Sequence, residues 1–143
     1  MNGRLAGLLL TSLLVGCSDS EFEIVPVSGR ITLDGEPLAG GVVNFQPRAT
    51  ANSDTAGPGS SARIADDGSF SLTTVRDGPG AVVGVHRVKI YSYSPESPIA
   101  SDSDAGPSKE RVPDWYNYRS KLEFEVSPEG NEAADFELTT TPG

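Results

Sequence analysis

The stretch VSGRITLDGEPLAGGVVNFQP (residues 27–47) decides the fold. Its apolar residues recur at every second position, which places them on one face of a β-strand. In the middle, DGEPLAGG (residues 34–41) is rich in the Asp, Gly and Pro residues that form turns. The segment therefore predicts two short strands joined by a turn, the first through Ile31 and Leu33 and the second through Val43 and Phe45.

The same alternation continues along the chain, and turn signals such as Asp67-Gly68 separate the alternating segments. No stretch of helical length shows a 3.6-residue period. Seven alternating strands without helices predict an all-β domain, an antiparallel β-sandwich in which the apolar faces of two sheets meet. The predicted strands cover residues 25–33, 43–45, 62–64, 70–72, 84–93, 121–127 and 136–138.

The N-terminus, MNGRLAGLLLTSLLVGC (residues 1–17), has the anatomy of a signal peptide. Arg4 precedes an apolar run over residues 5–15, and the small residue Gly16 follows it. This run is shorter than the ~20 residues that a helix needs to span a bilayer, so a permanent transmembrane helix is not expected.

Residues 14–17 (LVGC) resemble the bacterial lipobox, in which an aliphatic and a small residue precede an invariant cysteine. The resemblance implies cleavage between Gly16 and Cys17 and acylation of Cys17. Two or three acyl chains anchor a protein stably, whereas one chain holds only marginally. The predicted organisation is a signal peptide (1–16), a lipidated cysteine with its tether (17–23) and a β-sandwich domain (24–143). An ordinary secretory signal with a chance cysteine is the alternative.

Charge and cysteine content exclude several classes of function. The chain has 11 Lys and Arg against 20 Asp and Glu, a formal net charge of −9. An acidic chain without a cluster of basic residues is not expected to bind nucleic acid or to lie on anionic lipid. Cys17 is the only cysteine and His86 the only histidine. They permit neither an internal disulfide nor a zinc site of the usual ligand set, and no cofactor is expected.

The order of blocks resembles the carboxypeptidase regulatory-like, transthyretin-like domains of bacterial lipoproteins, especially those of planctomycetes. Residues 27–47 resemble the opening of these domains, and DGSFSLTT, GVHRVKI and VPDWYNYRSKLEFEVSPEGNEAADFEL resemble their later blocks. The resemblance implies a Greek-key, prealbumin-like sandwich and offers no catalytic residues to carry over. The chain differs from the family pattern at Trp115 and in the length of the loop over residues 95–111.

His86 is the first candidate for catalysis, because histidine can act as a general base. It shares a phase with Val88 and Ile90, so a buried structural role is expected. Hydrolases and dioxygenases of related sandwich shape use more than one histidine. A transthyretin-like hydrolase is therefore the remotest of the functions considered.

Two further surfaces are candidates for ligand binding. The segment DWYNY (residues 114–118) contains Trp115, Tyr116 and Tyr118, which offer a platform for a sugar or a partner protein. The alternative is that Tyr116 closes one edge of the sandwich while Trp115 or Tyr118 covers the neighbouring core. A calcium site would need acidic side chains to converge. The candidates are Asp66, Asp67, Asp102 and Asp104, although an EF-hand starting at Asp102 fails at Pro107 and Pro113.

These observations predict a non-catalytic, lipid-anchored lipoprotein of the cell envelope, at the outer membrane or the periplasmic face. Its sandwich is expected to act as a structural or protein-interaction module, and a carbohydrate- or calcium-binding module is the alternative. The loops over residues 48–61 and 95–111 are rich in Ala, Ser, Asp, Gly and Pro, a composition that favours mobility over binding.

Overall fold

The structure is a computed structural model that describes residues 22–50, 55–76, 78–93 and 109–143. These residues form twelve β-strands and one short 3-10 turn, with no α-helix among them, so the all-β prediction is confirmed. The strands are β1 (Ile24–Val25), β2 (Ser28–Leu33), β3 (Glu36–Pro37), β4 (Val42–Pro47), β5 (Ser60–Arg63), β6 (Ser69–Ser71), β7 (Thr73–Thr74), β8 (Gly78–Pro79), β9 (Ala81–Val82), β10 (Gly84–Tyr91), β11 (Glu123–Val126) and β12 (Phe136–Leu138). The 3-10 turn is Asp114–Tyr116.

Each of the seven predicted strands coincides with a strand of three or more residues, namely β2, β4, β5, β6, β10, β11 and β12. The other five strands have two residues each, too few to show alternation in a sequence. The first predicted strand is divided at Pro26, which has no N–H to donate to a ladder. On one side of it Val25 pairs with Ala81 of β9, and on the other side β2 begins.

The strands form two main sheets and one small pair. One sheet has six strands in the order β11-β10-β4-β5-β7-β8. Its longest strand, β10, pairs with β11 on one side and with β4 on the other. The other has the order β12-β2-β3, and β6 pairs with the start of β2. β1 and β9 form the small pair.

One pairing differs from the antiparallel prediction, because β12 runs parallel to β2. After β11 the chain turns at residues 127–130 and crosses to the other sheet near the start of β2. There Ser28 N donates to Asn131 O at 2.8 Å. The chain then follows β2 in the same direction, with Ala134 N bonded to Ser28 O. Gly29 permits this close approach, since a Cβ there would collide with the Ala134 carbonyl oxygen.

The core lies between the two main sheets and is centred on Phe45 of β4, which is fully buried. Its ring contacts Phe70 of β6 at 6.4 Å and Phe136 of β12 at 6.1 Å between centroids, both from the opposite sheet. On its own sheet it contacts Phe124 of β11 at 5.7 Å. Edge-to-face and tilted contacts of this kind stabilise a core beyond the area that they bury.

The two ends of the sandwich can be named from the direction of β2 and β10. One end is where residues 22–25 join the sandwich, and we call it the entry end. There Val83 N, just before β10, donates to Glu23 O at 3.0 Å, and Phe22 packs close to Gly57. β2 and β10 both run away from this end and finish at Leu33 and Tyr91, which mark the far end. A strand of eight residues is about 25 Å long, so the two ends are well separated.

Candidate functional site

A hydrogen-bonded turn at the far end carries the exposed aromatic residues. We call residues 109–121 the aromatic turn. Pro113 precedes the 3-10 turn and its carbonyl accepts a bond from Tyr116 N at 3.0 Å. The Asp114 carbonyl then accepts from both Asn117 N at 3.2 Å and Arg119 N at 3.0 Å. Backbone hydrogen bonds therefore hold the segment that carries the Trp115, Tyr116 and Tyr118 rings in a fixed turn.

Two buried polar side chains hold the aromatic turn in place: Asn117 bonds within the turn, and Ser120 bonds to β10. Asn117 is 1% exposed; its Nδ2 donates to Val112 O at 3.2 Å and its Oδ1 accepts from Tyr118 N at 2.8 Å. Ser120 donates from Oγ to the Val88 carbonyl of β10 at 2.6 Å and accepts from Leu122 N. Satisfied buried polar groups of this kind rigidify a site.

The three aromatic side chains of the turn take different positions. Tyr116 is half-buried against the core, and its hydroxyl accepts a bond from Thr139 N at 3.3 Å, just after β12. Trp115 is 38% exposed and Tyr118 is 71% exposed. The Trp115 and Tyr116 rings lie 5.9 Å apart at an angle of 52°, so they are tilted rather than coplanar. Tyr116 closes the edge of the sandwich, and Trp115 and Tyr118 are left facing solvent.

Both acidic residues of the aromatic turn are engaged by neighbouring groups. One Asp114 carboxylate oxygen accepts from Arg119 Nη1 at 2.9 Å and from the Tyr118 hydroxyl at 3.4 Å. Glu110 is half-buried, and its Oε1 accepts backbone N–H groups from Ser92 and from Val112, each at 2.8 Å. Ser92 Oγ in turn accepts from Arg111 N at 2.9 Å. These bonds join the end of β10 to the aromatic turn.

The basic residues of the aromatic turn were not predicted from the sequence, because charge was considered over the whole chain. Lys109, Arg111, Arg119 and Lys121 are all exposed. They are four of the 11 Lys and Arg of the chain and are gathered in 13 residues that hold only two acidic residues. A local count over residues 109–121 would have shown a net charge of +2, four basic less two acidic residues, in a chain of net charge −9.

The far end has a second polar feature beside the turn. Asp34 has a positive φ of 51°, and its carboxylate accepts from Thr140 N at 2.9 Å and Thr140 Oγ1 at 2.8 Å. These two bonds lower the pKa of Asp34. They hold the segment after β12 against the turn between β2 and β3.

His86 points into the core, as the alternation predicted. It is fully buried, its ring lies 5.6 Å from that of Phe45, and Nε2 is 2.7 Å from the Val82 carbonyl oxygen. Burial lowers the pKa of His86, and the backbone groups of Val82 and Phe45 oppose this only in part. The neutral ring thus donates from Nε2, and within the described ranges Nδ1 has no hydrogen-bond partner. Because His86 is fully buried, neither ring nitrogen is accessible to solvent or to a substrate in solvent.

The calcium hypothesis gains no cluster from the structure. Asp67 accepts from Ser69 N at 3.0 Å and also from Ser69 Oγ, and these bonds lower the pKa of Asp67. The pair forms the turn before β6, as Asp67-Gly68 predicted. Across the part of the chain that the structure describes, no three His, Cys, Asp or Glu side chains are placed to hold a metal ion. Asp102 and Asp104 lie outside that part.

Several other predictions also fall outside the described residues. Gly16, Cys17 and the signal segment do so entirely, and the two long loops do so in part, over 51–54 and 95–108. Within the described ranges, no helix has the length and apolar character needed to cross a bilayer.

A shallow polar cavity of about 380 Å³ lies on the other sheet, where β2 meets β6. Arg30, Phe70, Glu132 and Asp135 are among its lining residues. Asp135 Oδ1 accepts a bond from Arg30 N at 2.8 Å, and the Arg30 side chain lies 3.8 Å from Asp67. Its charged groups are thus largely occupied in joining β2 to its neighbours.

Comparisons of this chain with protein-family models, with curated proteins and with solved structures found no match.

Proposed function

We propose that this protein is a non-catalytic, lipid-anchored interaction module of the cell envelope. In this proposal Cys17 carries the acyl chains, residues 18–23 form the tether, and the β-sandwich presents the aromatic turn to a partner. The lipobox-like residues 14–17 support the anchor. The position of β1 directly after the tether supports the separation of anchor and contact surface.

The observation that carries the proposal is the exposure of Trp115 and Tyr118 on a backbone that is fixed from both sides. Trp, Tyr and Arg dominate the energetic centres of interfaces, and all three occur here within five residues. A fixed backbone also lowers the conformational entropy that binding must offset. Neither Trp115 nor Tyr118 belongs to the buried core, and the exposed part of each ring remains available for a partner.

His86 supports the non-catalytic part of the proposal. A general base must come within hydrogen-bond reach of the proton that it removes. The Nε2 atom of His86 is bonded to a backbone carbonyl, and the ring packs against Phe45 between the sheets.

Replacement of the lipidation site tests the anchor. We expect Cys17→Ser to move the protein from the membrane fraction to the soluble fraction in vesicle flotation, and to abolish incorporation of labelled palmitate. Without acyl chains, the body that follows residue 16, with 10 basic and 20 acidic residues, is repelled by anionic headgroups.

The matched control is Ser20→Ala, a change of similar size three residues away that leaves the thiol in place. It should float and incorporate label as the unchanged protein does. If Cys17→Ser floated equally well, the anchor would not be an acylated cysteine and the proposal would fail.

A further inference from the structure

We propose that the aromatic turn binds an anionic polysaccharide, a glycan chain that carries carboxylate groups, on the side of the domain facing away from the anchoring membrane. This inference rests on the proposed function and names the chemical class of its partner. Its basis is the juxtaposition of exposed rings with exposed cations at the far end of an acidic protein.

The charge of the aromatic turn has the sign that such a ligand requires. Lys109, Arg111 and Lys121 are exposed, Glu110 faces backbone N–H groups, and Asp114 and Arg119 are paired with each other. The next acidic residue along the chain, Glu123, is paired with Arg48. Lys and Arg bind carboxylates through charge-assisted hydrogen bonds, which are stronger than neutral ones.

The rings supply the second half of the recognition. Trp115 and Tyr118 offer apolar faces with a polar edge, which suits a sugar ring that has apolar C–H faces and hydroxyl groups at its rim. Tyr118 and Lys121 are three residues apart, so their Cα atoms are at most about 11 Å from each other. A ring and a cation of this surface therefore lie close enough for one glycan chain to contact both.

The size of the surface favours a linear polymer over a folded protein. Six side chains of the aromatic turn are exposed. A stable protein interface uses about 20–30 residues on each side. A single extended chain can be bound by a few side chains and does not need that area.

The position of the surface disfavours the headgroups of the protein's own membrane. The chain enters the sandwich beside Val83, at the start of β10, and Ser120 binds to Val88 of the same strand. The aromatic turn is also bonded to the residue just after β10, because Ser92 N donates to Glu110 Oε1. It therefore lies at the end of the sandwich opposite the anchor.

The net charge of −9 does not prevent contact with an anionic chain. At physiological ionic strength charges are screened over about 8 Å, so at contact the local cations outweigh distant carboxylates. Binding should then weaken as salt is added, since the attraction is itself electrostatic.

Trp115 is the only tryptophan of the chain and reports on this surface directly. The full chain, with its anchor in non-ionic detergent, is titrated with polygalacturonate while tryptophan emission is followed. We expect a saturable change in emission that is reduced at high salt and absent with dextran, a neutral polysaccharide.

Each variant in the aromatic turn is compared with a variant of an exposed residue elsewhere, which distinguishes loss of binding from loss of stability. Arg111→Gln combined with Lys121→Gln is expected to weaken binding about ten-fold, the product of two losses near three-fold that exposed ion pairs support. Arg76→Gln removes an exposed cation near the entry end of the sandwich and should leave binding unchanged. Tyr118→Ala should weaken binding about ten-fold, whereas Val75→Ala, at a residue 80% exposed, should not.

Three results would overturn the inference. They are no emission change with polygalacturonate, an equal change with dextran, and a change with anionic phosphatidylglycerol vesicles that polygalacturonate does not produce. The last would assign the surface to lipid headgroups. The flotation of the Cys17→Ser variant is therefore measured on neutral phosphatidylcholine vesicles, where none of these results changes it. Failure of the inference is then distinguishable from failure of the anchor.

Discussion

Phe45→Ala is expected to lower the free energy of unfolding by about 3–5 kcal/mol, the cost typical of removing a large ring from a closed core. Phe45 is fully buried and its ring contacts Phe70 and Phe136 across the sandwich. The cavity left behind would remove the contacts that this ring makes with both of them. The free energy of unfolding of a small domain is only about 5–15 kcal/mol in total, so this variant should be markedly less stable.

Chemical denaturation in non-ionic detergent, followed by far-UV circular dichroism, measures this loss. Val75→Ala is the control, since Val75 is 80% exposed and its truncation should stay within about 0.5 kcal/mol. Phe45→Leu keeps the variant measurable if the alanine form does not fold, and should cost on the order of 1–2 kcal/mol. A loss below about 1 kcal/mol for Phe45→Ala would place that ring outside the centre of the core.

The free energy of unfolding is expected to fall as pH decreases below 6.5, the ordinary pKa of histidine, because of His86. Burial lowers the pKa of His86 in the folded state. Below pH 6.5 the unfolded chain therefore binds a proton that the folded chain does not, and stability is lost as pH falls. The slope can reach about 1.4 kcal/mol per pH unit.

The slope is isolated by comparing the unchanged protein with His86→Gln between pH 7.5 and pH 5. The glutamine amide can still donate a hydrogen bond but does not titrate, so its stability should change less over this range. Hydrogen bonds lower the pKa of Asp34 and of Asp67, and their contributions are lost only below the ordinary value of 3.8, outside this window. Equal slopes for the two proteins would show that His86 becomes charged without cost in the folded state.

Local alternation was sufficient to predict much of the core. Phe45, Val88 and Ile90 are fully buried, and each follows from a period of two within its own strand. The parallel direction of β12 could not be predicted in this way. It depends on where the turn after β11 delivers the chain, and hence on bonds such as that between Ser28 and Asn131, which are distant in sequence.

The aromatic residues of the candidate site could be predicted from the sequence, but the hydrogen bonds that hold them in place could not. DWYNY marks the aromatic segment, yet nothing in the sequence distinguishes Tyr116, which closes the edge, from Tyr118, which is exposed. The bonds of Glu110 to Ser92 and Val112 join segments separated by a long loop. A carboxylate that accepts backbone N–H groups looks the same in sequence as a solvated one.

The central claim is that the aromatic turn faces away from the membrane that holds the protein, and depth-dependent quenching of Trp115 tests it most directly. The full chain is bound to vesicles, recovered by flotation, and its emission is measured with brominated lipids and then with aqueous acrylamide. We predict that acrylamide quenches Trp115 and that lipid bromines do not, because the residue is 38% exposed at the far end of the sandwich. Quenching by the brominated lipids would place Trp115 at the bilayer and contradict the account.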